Sequence, residues 1–157
     1  MSDKEHHYCP CVTWTGSRGK GTESYTSYGR DHVISVDGRP DIPGSSDPVF
    51  RGDRDRHNPE DLLVASLAAC HMLWYLHLAS EAGIVVMSYV DQPFGRMVVG
   101  GDGGGRFVNV ILRPEIRIAA GCDARLAKTL HEAAHQRCFI ANSVNFPVTC
   151  EAHVNVG

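Results

Sequence analysis

The sequence predicts an α+β fold with a largely antiparallel sheet and one long buried helix. Three observations carry this reading. Stretches that alternate apolar and polar residues flank the most apolar segment of the chain. That segment has room for about 23 helical residues between a start and a stop signal. A second, shorter helical pattern lies among the later strands, giving the order β, β, long helix, β, β, second helix, β. A chain of 157 residues with 43% hydrophobic and 21% charged residues suits a single domain spanning 1–157, with residues 1–7 as a flexible start.

Residues 8–37 alternate, as in "CVTWTG" and "HVISVDG", and predict two or three strands. Residues 38–57 are rich in Pro, Gly, Asp and Ser and predict a long loop, a common place for function. Asn58 is a good N-cap, Pro59 suits the first helical position, and Glu60 and Asp61 follow where the helix dipole favours negative charge. Gly83 is the expected stop. Leu62–Ala79 is apolar nearly all round, so the helix must be covered on every side. Ser66, His71 and His77 interrupt the run and no second span exists, which argues against a membrane helix. A thin sheet of this size can hardly wrap such a helix alone, and a partner subunit is the economical cover.

Beyond Gly83, "IVVMSYV" and "RMVVG" predict a strand pair, and "GGDGGG" a hairpin tip. The glycines do not make a phosphate loop, because no Gly-Lys-Ser/Thr and no helix follow. "RFVNVILRPEIRIA" predicts one long strand. Asp123 caps a second helix over about 124–136, with Leu126, Leu130 and Ala134 on one face, and "NFPVTCEAHVNV" predicts a last strand.

Net charge is −3, and the Arg-rich "RGDRDRH" is interleaved with Asp53 and Asp55, so no basic footprint for nucleic acid is present. The start "MSDKEHHYCPC" has no apolar h-region, which predicts a cytoplasmic protein with reduced thiols. The six cysteines at 9, 11, 70, 122, 138 and 150 then read as buried thiols, metal ligands or redox groups rather than a disulfide frame.

Two chemistries compete. "HEAAH" places His131 and His135 four apart on a predicted helix, with Glu132 between them, the spacing of a zinc hydrolase. A third ligand is hard to find. The elongated motif would need His at 141 and Gly at 138, where Ala141 and Cys138 stand, and Glu151 lies in a predicted strand. Two partly exposed histidines on an amphipathic helix are the plainer explanation of the spacing. Cys9 and Cys11 would share one strand face, where a metal site competes with two ordinary strand cysteines. The second chemistry belongs to Cys70, mid-helix before His71. Taken alone it reads as a small core residue; a reactive thiol there would need a cation from elsewhere. Arg51, Arg54 and Arg56 are the nearest sequence sources.

"NPEDLLVASLAACHMLWYLHLASEAGI", "AHQRCFIANSV" and "WTGSRGKGT" together resemble the OsmC/Ohr family of osmotically inducible and organic hydroperoxide resistance proteins, over nearly the whole chain. "SSDPVFRGD", "CHMLWYLHL" and "CFIANSVNFPV" point to an OsmC-like subgroup. The resemblance implies largely antiparallel sheets wrapped around a long buried central helix, in an intertwined homodimer with active sites at the interface. It implies a thiol-dependent peroxidase acting on hydroperoxides, organic ones above all, with no cofactor, metal, nucleic acid or membrane, restored by a dithiol reductant. Cys70 corresponds to the peroxidatic cysteine, Cys138 to the resolving one, and Glu60 to the acid that pairs with a thiolate-holding arginine. Arg51 is the first choice for that arginine, with Arg30 and Arg18 as rivals. Phe139 stands where many relatives have proline. Glu60 and Cys70 are ten residues apart, roughly 15 Å along one helix, so they would meet only between two antiparallel subunits. His71 reads as a buried structural histidine, with tuning of the thiol as the alternative. Trp74, Tyr75 and Phe139 either line an apolar substrate pocket or pack the core. Cys122 and Cys150 receive no role.

Overall fold

A computed structural model describes residues 4–157; of the start expected to be flexible, residues 1–3 lie outside the described part. The chain divides into two compact units, residues up to Leu62 and Leu63–Gly157.

The first unit holds a three-stranded antiparallel sheet of β1 (Cys11–Trp14), β2 (His32–Ser35) and β3 (Ile42–Gly44), in that order. The stretch read from sequence as an unbroken loop, 38–57, therefore contributes a strand, and also a 3-10 turn at Pro48–Phe50. Asp47 holds that turn by accepting from the Val49 N–H, and Arg51 closes it in the left-handed region at φ 67°. The long helix α1, Pro59–Glu81, starts in this unit. Its cap is reciprocal: Asn58 Oδ1 accepts the Asp61 N–H at 2.7 Å, and Asn58 Nδ2 donates to Asp61 Oδ2 at 2.9 Å. One otherwise orphaned N–H of the first turn is thus satisfied, and the two side chains hold each other in place.

The second unit contains the rest of α1, six strands and α2 (Ala124–Arg137). Gly83 stops α1 as the sequence requires. It sits at φ 71°, its N–H reaches Ser80 O, and the Ile84 N–H reaches Ala79 O at 2.8 Å, a glycine-terminated turn that consumes the last helical carbonyls. The two segments read as a strand pair do not pair with each other. They are collinear: β4 (Val86–Asp91) pairs with β7 (Pro114–Ile118), and β5 (Phe94–Val99) pairs with β6 (Gly105–Leu112). One long hairpin thus runs out along β4 and β5, turns at the glycine tip 100–104, and returns along β6 and β7. The third strand is split too, with β8 (Val148–Cys150) parallel to β6 and β9 (His153–Val156) parallel to β7.

All three strands break at one level, and the cause is local. Pro93 separates β4 from β5, and Pro114 opens β7 without an N–H to give the ladder. Asp91 Oδ1 accepts the Arg113 N–H at 2.7 Å, and Arg113 pairs with Glu151 at 3.5 Å. The crease is cross-linked through residues of all three strands.

α1 lies along this creased sheet. Leu67, Ala68, His71, Tyr75, Leu78 and Ala79 form its buried stripe, at the spacing of one helix face. The first half packs with Val110, Leu112 and Val148, and the second with Ile116, Ile118, Ala127 and Ala134. Gly95 permits close approach, since a Cβ there would come within 2.6 Å of the Val64 side chain. By length and composition α1 could cross a membrane, yet this stripe is committed to the cores.

α2 begins on Asp123, whose Oδ1 accepts from the Arg125 and Leu126 N–H groups. Its buried face is Ala127, His131 and Ala134; of the predicted Leu126, Leu130 and Ala134, Ala134 is buried and Leu130 packs partly buried against the core. Leu126 is 38% exposed. The difference is one step around the helix, and it takes His131 inward.

Candidate thiol site and the neighbouring histidine cluster

Cys70 is half-buried on α1, and Cys138 is the C-cap of α2 and only 1% exposed. Sixty-eight residues apart in sequence, their thiols are close enough in the fold for Cys70 to act on the titration of Cys138. Burial, and then the Cys70 thiol, push Cys138 up to about 11, against backbone N–H groups of Ala141 and Ile140 that pull it down. Its sulfur accepts the Ala141 N–H at 3.4 Å. Cys138 is therefore a protonated thiol at neutral pH.

Beside the pair is an apolar hollow of about 320 Å³ lined by Leu73, Trp74, His77 and Phe139. Trp74 and Phe139 meet edge-to-face, their centroids 5.5 Å apart. Trp74 is one turn beyond Cys70, and Phe139 follows Cys138, so both neighbour the thiols. Tyr75, read as a third lining candidate, is fully buried and stacks on His131 at 4.0 Å instead. Arg137 lies over the Trp74 ring at 5.9 Å, a cation near the thiols that the sequence reading passed over; its place beside Cys138 was the available signal.

Glu60 and the three candidate arginines belong to the N-terminal unit. Glu60 Oε2 is buried and accepts no hydrogen bond. Arg30 is fully engaged: it donates to the Tyr28 and Tyr25 carbonyls at 2.7 and 3.0 Å and lies over both rings. Arg51 is exposed on its left-handed turn, 5.9 Å from the Tyr25 ring. Arg18 is also left-handed, at φ 54°. A positive φ on a non-glycine residue is uncommon and concentrates at functional positions.

The histidines differ from expectation. His131 is only 6% exposed rather than partly exposed, and it faces His71, which is 1% exposed. His71 Nε2 and His131 Nδ1 are 2.9 Å apart, and Cys150 Sγ lies 3.7 and 3.8 Å from them. Burial lowers His71 to about 4, helped by His135, and lowers His131 to about 3, helped by His71. Burial pushes Cys150 up to about 12. Among the described residues, these three form the group whose ligand atoms converge, and His135 is not in it. Neither are Cys9 and Cys11, which are exposed, and the Cys122 sulfur accepts the Val85 N–H at 3.4 Å.

The sequence profile of the OsmC-like protein family matches residues 52–153. No curated protein matches the chain. Among solved structures, an OsmC-like protein of unknown function from Vibrio cholerae is similar over 95% of this chain and all of its own, at 28% identity and a TM-score of 0.85. An organic hydroperoxide resistance protein from Legionella pneumophila is similar over 96% of this chain and 99% of its own, at 20% identity and a TM-score of 0.67. Another, from Elizabethkingia anophelis with thiocyanate bound, covers 98% of this chain and 100% of its own, at 21% identity and 0.67. With motif spacing, α+β topology and family profile in agreement, the chain belongs to the OsmC-like protein family.

Proposed function

We propose that the protein is a thiol-dependent peroxidase that reduces organic hydroperoxides, with Cys70 as the peroxidatic and Cys138 as the resolving cysteine. The observation that carries this reading is the proximity of the two thiols, near enough for Cys70 to raise Cys138. It is supported by family membership and by relatives described as organic hydroperoxide resistance proteins. Burial also suggests the division of labour. Cys138, buried and protonated, is the poorer first nucleophile, since the thiolate is the reactive form; Cys70 is the more accessible.

The Cys70 thiolate attacks the distal oxygen of ROOH and displaces alkoxide, which takes a proton and leaves as alcohol. Sulfur is oxidised to a sulfenic acid as the peroxide is reduced. Cys138 then condenses with that sulfur, forming the disulfide and releasing water. A dithiol, small or protein-borne, restores both thiols through a mixed disulfide. The hollow at Leu73, Trp74 and Phe139 suits an organic R group better than hydrogen peroxide, because its walls are apolar. Purified reduced protein with a dithiol should therefore consume cumene hydroperoxide catalytically. Consumption no faster than the dithiol blank would overturn the reading, and reversible oxidation without turnover would favour a thiol sensor.

The working unit is proposed to be a homodimer. Ala65, Ala69 and Leu73 form an exposed apolar stripe at i, i+4, i+8 along α1, with Leu73 63% exposed. A second α1 packed antiparallel would cover it and bring its Glu60, with an arginine for which Arg51 is first choice, to the Cys70 thiolate. Leu73→Asp should shift the chain from dimer to monomer in light scattering and depress peroxidase activity with it. A variant that stays dimeric would remove α1 from the interface.

A further inference from the structure

We infer that His71, His131 and Cys150 form a zinc-binding site, separate from the peroxidatic pair, with a fourth coordination position open to an adjoining cavity. The three ligand atoms make a triangle with edges of 2.9, 3.7 and 3.8 Å. Tetrahedral zinc with N and S ligands sets edges of about 3.3 Å for N to N and about 3.5 Å for N to S, from Zn–N of about 2.0 Å and Zn–S of about 2.3 Å. Shifts of a few tenths of an ångström convert one arrangement into the other.

Three further observations point to an ion rather than to a packing accident. Both imidazoles are more than nine-tenths buried, and the nitrogens that converge on Cys150, His71 Nε2 and His131 Nδ1, meet only each other and that thiol. Three coordinate bonds would replace one N···N contact and two long N···S contacts. Charge is also balanced. Asp91 is near enough to act electrostatically on Cys150, and its Oδ2 is buried without a partner. A zinc ion, the Cys150 thiolate and the Asp91 carboxylate sum to zero. Finally, the group is reachable. A cavity of about 510 Å³ is lined by His131, Cys150, Glu132, His135 and Thr149 among others, so an ion can enter and water can fill the fourth position, the arrangement of an open zinc site.

The ligands come from α1, α2 and β8. Zinc would clamp the helix carrying Cys70 to the helix that ends on Cys138, and the thiol proton of Cys150 would leave on binding. This use of His131 differs from the "HEAAH" pattern, because its partners are 60 and 19 residues away rather than four.

The test uses the full chain stripped by chelator and titrated with Zn²⁺ against a competing chromophoric chelator. One zinc per chain is expected, retained in Cys70→Ser/Cys138→Ser and weakened by at least about 100-fold in Cys150→Ser and His131→Ala. Co²⁺ should give tetrahedral visible absorption and a thiolate-to-cobalt charge-transfer band that vanishes in Cys150→Ser. That conservative, half-exposed substitution keeps the test decisive if His131→Ala fails to fold. Substoichiometric zinc in the wild type, affinity unchanged in Cys150→Ser, or zinc lost in Cys70→Ser/Cys138→Ser would overturn the site. Peroxidase activity is not the readout, so failure here leaves the peroxidase reading standing, and the reverse.

Discussion

Cys70→Ser is expected to lower hydroperoxide reduction by on the order of 10³-fold or more, since serine supplies no nucleophile of comparable strength and the sulfenic acid cannot form. The fold should survive, because Cys70 is half-buried and serine is smaller by little. Cys138→Ser should behave differently. It keeps the first step, so one equivalent of peroxide is consumed rapidly and Cys70 is trapped as a sulfenic acid that over-oxidises with excess peroxide. Rapid-mix peroxide consumption checks both. Equal loss of the first equivalent in the two variants would contradict the assignment of roles.

The second large effect concerns acid. Both His71 and His131 are held below their ordinary value, chiefly by burial, to about 4 and about 3. A group depressed in the folded state leaves stability intact above its unfolded value of 6.5 and loses it as pH falls toward the folded value, because only the unfolded chain takes up the proton. Metal-free protein in chelator should therefore weaken between pH 6.5 and about 4, by about 3 kcal/mol for each histidine and about 6 kcal/mol for the pair, at about 1.36 kcal/mol per group per pH unit. That is a large part of a typical domain's stability. Urea unfolding across this range measures it. His131→Phe, which keeps a ring against Tyr75, should flatten the acid limb; a wild-type curve already flat from pH 6.5 to 4 would contradict the account.

The parts legible in the sequence were those written in local chemistry. The Asn58 cap, Pro59, Gly83 and the apolar run define α1, and its predicted 23 residues match Pro59–Glu81. Asp123 likewise marks the start of α2, and the glycine tip marks the hairpin. What stayed hidden was long-range. Nothing local says that "IVVMSYV" and "RMVVG" are collinear, because the crease depends on Arg113 and Glu151 meeting Asp91's strand. The strand Ile42–Gly44 was masked by Pro43 and glycine in a loop-like composition. Parallel pairing of β8 with β6 fixes where Cys150 lies, so no spacing rule could join it to His71 and His131. The inward turn of His131 reflects one step of helix rotation, within the error of any periodicity argument. The thiol pair was legible only because two separate motifs resemble one family; the fold then places both sulfurs together.

If Cys70 and Cys138 form one redox unit, oxidation by peroxide is stoichiometric. Reduced protein is mixed with one equivalent of cumene hydroperoxide, quenched with a thiol-alkylating reagent, and read by intact mass and peptide mapping. The account predicts loss of two hydrogen atoms, a single disulfide between Cys70 and Cys138, and alkylation of every other accessible cysteine. Unchanged mass, or oxidation that leaves Cys70 or Cys138 free, would contradict it.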